Sequence, residues 1–230
     1  MNLNTPWNWD CKLRYLPTNT QELKEDNPKE FPNIIFDYGG VIINIDVQKT
    51  IEAFLNIIPK NMDNIQEKIE SSEVFQALER GEVEEPDFLN QINGILGSQM
   101  KWEEFEPAWN AMIGDIPADR LKVLERVSKN HRIFLLSNTN SIHLRRVNEV
   151  VKETMQADSI DHYFEKAYYS NHIGLRKPGI EIYNHVLTEQ NLDPEETIFL
   201  DDNILNLKGA AKTGMAVYHI TEAKGITDIF

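Results

Sequence analysis

Cysteine is nearly absent: Cys11 is the single one in 230 residues. One thiol excludes an internal disulfide and fits a reducing compartment. Positive charge is scarce too, with 23 Lys and Arg against 37 Asp and Glu and a formal net charge of -14. That balance argues against nucleic acid, whose phosphates demand a basic face, and reads most simply as solubility. An anionic ligand is acceptable only where a metal or a local Lys or Arg reverses the sign. No apolar run reaches the roughly 18 residues of a membrane span. The opening residues also lack a basic stretch followed by an apolar one, so a cytoplasmic location is expected. Internal repeats and low-complexity tracts are missing as well.

What is present is globular. A hydrophobic content of 41% over this length fits one large domain, or a core with a smaller insert. Residues 1–30 form an expected extension, rich in Asn, Thr and Pro without a sustained period. It is either mobile or an arm docked through Trp7, Trp9 and Tyr15. From Pro32 onward a β–α rhythm begins, with strands expected at 34–36, 133–136, 167–169, 198–200 and 216–219. Helical spacing follows at 142–154, at 179–190 with Pro178 near its first turn, and at 203–213 before Gly214. Continuous apolar strands alternating with helices indicate an α/β fold, a parallel sheet covered on both faces.

The rhythm breaks between the first two strands. Residues 47–115 carry only helical patterns, at about 47–58, 62–80, 86–96 and 102–113. Phe105, Trp109 and Met112 repeat at four and three, reading first as the core of a helical bundle and second as a pocket lining. An all-helical insert here would form a lid over the strand ends. The core would then comprise residues 31–46 and 116–230, with a helix opened by Pro117 and Asp119 leading into strand two.

Ligands of such sheets bind beyond the carboxyl ends of the strands. Asp37, Ser137, Asp201 and Asp202 all fall at expected strand ends. Asp37 precedes Gly39 and Gly40, and can bind a cation, attack an electrophile or cap a turn. The adjacent Asp201 and Asp202 repel unless a cation compensates, although one of them can cap a helix. Hard oxygen donors of this kind suit Mg²⁺. Ser137-Asn138-Thr139-Asn140 offers hydroxyls and turn amides ahead of a helix, or forms an ordinary turn. Lys177 beside Arg176 is by itself a plain surface lysine. Their conjunction changes the reading.

Taken in order, Asp37-Tyr38-Gly39-Gly40-Val41, Leu136-Ser137-Asn138-Thr139, Arg176-Lys177-Pro178 and Leu200-Asp201-Asp202-Asn203 resemble the motifs of the haloacid dehalogenase superfamily. The resemblance spans residues 33–220. In detail it is similar to the subgroup with α-D-glucose-1-phosphate phosphatase and the phosphatase domain of soluble epoxide hydrolase. It implies a Rossmann-like core with an inserted helical cap and hydrolysis of a small phosphorylated metabolite, a sugar phosphate being favoured. It also implies Asp37 as nucleophile, forming an aspartyl-phosphate. Asp37, the Gly39 carbonyl and Asp202 would hold Mg²⁺, with Asp201 as a further ligand or an outer partner. Ser137 and the Asn138 amide would bind the transferring group, and Lys177 would balance its charge.

One departure stands out. The superfamily's phosphatases usually place a second aspartate two residues after the nucleophile, as general acid and base, and here that position is Gly39. General acid–base catalysis contributes about 10²–10⁴-fold. The expected consequence is a handicap, least for a leaving group that needs little protonation, such as an anomeric oxygen. Two rival readings remain: a metal-independent dehalogenase, and a ligand-binding protein impaired at Gly39. Within the insert, Glu79-Arg80-Gly81 interrupts a helix, and Arg80 either meets the substrate or sits on a solvated turn.

Overall fold

The computed structural model describes residues 26–58 and 64–230. Cys11 and nearly all of the expected 1–30 extension lie outside the described residues. No described helix is long and apolar enough to cross a membrane.

Strand β1 (Asn33–Phe36) is buried along its whole length. The chain then turns at residues 37–45 into α1 (Val47–Ile57), which Asp46 caps by accepting from the Gln48 amide. The pattern expected as one helix over 62–80 is split into α2 (Ile65–Glu70) and α3 (Glu73–Glu79). Ser72 causes the break: its hydroxyl accepts from the Phe75 amide, which starts a new helix. Helices α4 (Glu85–Leu96) and α5 (Trp102–Asn110) complete the insert. These five helices share an apolar cluster including Phe54, Leu78, Phe88, Ile92 and Phe105, closed from the core side by Ile142. Two strands of irregular chain join them to the core, touching at a bridge between Ile45 and Ile113.

Beyond the insert come α6 (Ala118–Val127), β2 (Arg132–Ser137), α7 (Ser141–Met155), β3 (Lys166–Tyr169) and the short α8 (Ser170–Ile173). Next are α9 (Ile180–Glu189), β4 (Thr197–Asp201), α10 (Ile204–Ala211), β5 (Ala216–His219) and α11 (Ile226–Ile229). Helix α9 starts later than the sequence pattern indicates. Gly179 is its cap, and Pro178 stands ahead of it, joined to Lys177 by a cis peptide.

The five strands form one parallel sheet in the order β3-β2-β1-β4-β5. Alternation along each strand divides the core. Ile34, Phe36, Leu135 and Leu200 pack against α6, α7 and α11, whereas Ile35, Phe134 and Phe199 pack against α9 and α10. Burial on both faces explains why these strands read as unbroken apolar runs. The chain order reverses beside β1, which pairs β2 on one side and β4 on the other. That reversal opens a crevice at the carboxyl end of the sheet, where α/β folds bind ligands.

Candidate active site

Asp37 continues β1 past its last residue, its amide donating to the Leu200 carbonyl at 2.9 Å. Asp201 ends the neighbouring β4, and Asp202 follows it. One oxygen from each of the three carboxylates can be chosen so that all lie within 4.8 Å of one another. Lys177 enters from the loop before α9, fully buried, with Nζ 2.7 Å from Asp37 Oδ1 and 2.8 Å from Asp201 Oδ2. Its third donor position goes to the Leu136 carbonyl at 3.0 Å. The ammonium is therefore fixed in all three directions, and a buried lysine of this kind stays charged because its partners are anionic.

Charge within the cluster does not balance. Three carboxylates face one ammonium, so full ionisation leaves two negative charges in a largely enclosed site. Burial first, then the Asp201 charge, pushes the Asp37 carboxyl up to about 8, against the pull of Lys177. The same two causes push Asp202 up to about 6. Lys177 responds in the opposite sense: burial disfavours its charge, but Asp201 and Asp37 outweigh it and its ammonium is held well above the usual range. A divalent cation removes the excess, and all-oxygen donors at this spacing fit Mg²⁺.

The three acids are not equivalent. Asp201 is fully buried, and both its oxygens are occupied: Oδ1 accepts from the Asn203 amide at 2.6 Å, Oδ2 from Lys177 and from Asn206 Nδ2 at 3.0 Å. Asp202 stands at the mouth: its residue surface is exposed, while the atoms around its carboxyl crowd it enough to disfavour the charge. Helix α10 is capped by Asn203, whose side chain accepts from the Leu205 amide, so neither aspartate serves as its cap. Gly40, at φ +71°, brings the chain against Asp202: a Cβ there would lie 2.3 Å from Asp202 Oδ2. Glycine is the residue that tolerates both that dihedral and that approach. At Gly39 a Cβ would meet only the Ile45 side chain, at 3.2 Å from Cγ1.

Ser137 is buried at the end of β2. The Asn138 side chain clasps the Lys177 backbone, Oδ1 accepting from its amide and Nδ2 donating to its carbonyl, both at 2.9 Å. The family resemblance assigns the Asn138 amide to the transferring group; the side-chain clasp joins residues 39 apart and has no local signature. Ser170 Oγ accepts from the Thr139 amide and donates to its carbonyl, tying α8 to the same loop.

The two residues singled out in the insert are placed differently. Trp109 is buried among Phe54, Phe88 and Phe105 and stacks on His143 at 5.2 Å, so it is bundle core rather than an open pocket wall. His143, bonded through Nδ1 to Asn110 Oδ1, is held neutral by desolvation at about 3. Arg80 forks onto Glu82, with Nε and Nη2 at 2.8 and 2.7 Å from its two oxygens, and is thereby directed along its own turn. The inward residue is its neighbour Glu79, which accepts from Arg176 Nε at 2.8 Å.

A parallel sheet with this strand order, bearing an acidic cluster and a buried lysine at its carboxyl end, defines a hydrolase class. Residues 34–220 match the haloacid dehalogenase-like hydrolase model, and the chain belongs to that family. It is 28% identical over 186 residues to D-ribitol-5-phosphate phosphatase of Bacteroides thetaiotaomicron, covering 81% of this chain and 90% of that protein. Sesquiterpene phosphatase astK of Aspergillus oryzae is also 28% identical, over 84% of this chain and 91% of its own length. Among solved structures, a haloacid dehalogenase family enzyme of Bacteroides thetaiotaomicron in complex with magnesium and inorganic phosphate superposes with a TM-score of 0.74. Its identity is 32%, over 84% of this chain and 96% of that one. The chain is thus a hydrolase, and Mg²⁺ is the cofactor that its acidic cluster fits.

Proposed function

We propose that the chain is a Mg²⁺-dependent phosphatase of a small, hydroxylated phosphomonoester, working through Asp37. The observation that carries this reading is the convergence of Asp37, Asp201 and Asp202 on the buried Lys177 at the carboxyl ends of β1 and β4. Asp37, Asp202 and the Gly39 carbonyl would hold the metal, and Asp201, which already accepts three hydrogen bonds, supports Lys177 and the loop from behind. When bound, Mg²⁺ supplies the positive charge that screens a phosphoryl group from the carboxylates around it.

An Asp37 carboxylate oxygen attacks phosphorus in line, and the bond from phosphorus to the leaving oxygen breaks. The departing alkoxide takes its proton from water, because Gly39 offers no acid. Ser137 and the Asn138 amide donate to the phosphoryl oxygens while Lys177 stabilises the growing charge. Water then attacks phosphorus, the bond to Asp37 breaks, inorganic phosphate leaves and the carboxylate is regenerated. Helices α1–α5 act as the lid that encloses this sequence.

Two observations bear on the substrate. Gly39 favours a leaving group that needs little protonation, such as an anomeric oxygen, whereas the relative named for D-ribitol 5-phosphate, a primary-alcohol ester, favours a polyol chain. The test is phosphate release from a panel of phosphorylated metabolites with Mg²⁺, with chelator, and for Asp37→Asn. Release by the parent alone, abolished by chelator and by the substitution, is expected. Turnover that survives chelation would favour a metal-independent reaction, and a silent parent would favour a binding protein.

A further inference from the structure

Glu79 ends α3 on the insert side, and Arg176 immediately precedes the buried Lys177 on the core side. Glu79 is only 8% exposed. Both guanidinium contacts go to a single oxygen, Oε2. No described protein donor meets Oε1. Burial holds the carboxyl above its usual range, while Arg176 and then Lys177 pull it back, so Glu79 lies within the field of the phosphate-binding lysine. Two residues on, Gly81 at φ +69° presses against α8, where a Cβ would stand 2.2 Å from the Asn171 carbonyl oxygen. Asn171 Oδ1 is itself buried without a donor. Helix α8 is anchored to the Ser137–Asn140 loop through Ser170 and Thr139.

Glu79 Oε1 thus has no hydrogen bond from a described residue where the lid turn meets the core, in the field of Lys177. Once a bound substrate excludes water, such an acceptor favours a hydroxyl donor. We propose that Glu79 Oε1 receives a hydroxyl of the substrate's organic portion, so that Glu79 selects polyol or sugar phosphates over alkyl or isoprenoid phosphates. The inference rests on the phosphatase reading above and assigns its substrate class. An apolar ester would bury the Glu79 oxygen with no donor, and that rejection is the source of selectivity.

The experiment compares a pentitol phosphate with n-pentyl phosphate, equal in carbon number and differing in hydroxyls, for the parent, Glu79→Gln and Glu79→Ala. Thermal melts confirm that each variant is folded. For Glu79→Ala, kcat/KM for the pentitol ester should fall about 10- to 100-fold, chiefly through KM, the scale of one charge-assisted hydrogen bond. The pentyl ester should change by less than about twofold, as expected for a contact it never makes. Glu79→Gln, which keeps a carbonyl acceptor, should lie between. Equal falls for both esters would reduce Glu79 to a lid latch with Arg176 and overturn the proposal, as would no fall for either. Calorimetry with Mg²⁺ separates this inference from the phosphatase reading. If the parent turns over neither ester yet binds the pentitol phosphate more tightly than inorganic phosphate, and Glu79→Ala removes that difference, the subsite stands without the activity. Equal binding of the two by the parent would sink it.

Discussion

Lys177 Nζ lies 2.7 Å from Asp37 Oδ1, and it is the one cation bonded to the acidic cluster among the described residues. Replacing it by methionine keeps the volume of the stem and removes the charge. Breaking a buried pair from one side costs about 3–5 kcal/mol. Lys177→Met should therefore lose that much stability to denaturant in chelator, with turnover reduced about 100-fold or more, the scale of one lost electrostatic donor. Unchanged stability would mean that the carboxylates take up protons instead, which a proton-release measurement on adding Mg²⁺ would reveal.

Metal binding should depend on pH in a defined direction. Asp37 and Asp202 are raised from an ordinary 3.8 to about 8 and about 6. The metal-free fold thus holds more protons than the unfolded chain, and it loses stability as pH rises from about 4 through about 8. Mg²⁺ requires the ionised carboxylates, so its apparent affinity should strengthen over the upper part of the same interval. Melting temperatures with Mg²⁺ and with chelator should separate progressively from about pH 6 to about pH 8. A constant gap would place the metal elsewhere.

Much of this was legible in the chain because each polar group of the site directly ends an apolar run. Ile34-Ile35-Phe36 ahead of Asp37 and Ile198-Phe199-Leu200 ahead of Asp201 declare buried parallel strands and their carboxyl tips at once. Lys177 was legible through the motif resemblance and not through its own surroundings. What stayed hidden depends on partners distant in sequence. Periodicity cannot tell which charge of Glu79-Arg80 turns inward, because Glu82 recruits Arg80 locally while Arg176, 97 residues away, recruits Glu79. Ser72 broke an apolar period that looked continuous, since a hydroxyl cap competes with the helix it interrupts.

Gly40→Ala tests the close approach to Asp202. The added Cβ meets Oδ2 at 2.3 Å on a left-handed backbone, so strain and displacement act together. The backbone term costs about 1–3 kcal/mol. With Asp202 holding Mg²⁺ as proposed, moving its support should weaken metal affinity about 10- to 100-fold, so the Mg²⁺ concentration for half-maximal activity should rise by that factor. Gly39→Ala is the comparison: its backbone is not left-handed and its Cβ meets only Ile45, so the Mg²⁺ requirement should rise less than for Gly40→Ala.

Gly39→Asp asks whether the missing acid limits the chemistry. The backbone at Gly39 is not left-handed, and the neighbour its Cβ would touch most closely is Ile45 Cγ1 at 3.2 Å, so Ile45→Ala can make room. A carboxyl here would protonate an alkoxide as it departs, a contribution of about 10²–10⁴-fold where fully expressed. A grafted acid lacks its supporting contacts, so a gain of about 10-fold in kcat/KM is expected for an alkyl phosphate. p-Nitrophenyl phosphate, whose phenolate leaves without a proton, should change by less than about twofold. An equal gain on both esters would trace the effect to metal binding or charge near Asp37. No gain on either would mean that bond breaking at the leaving oxygen does not limit this hydrolase, and that a later step does.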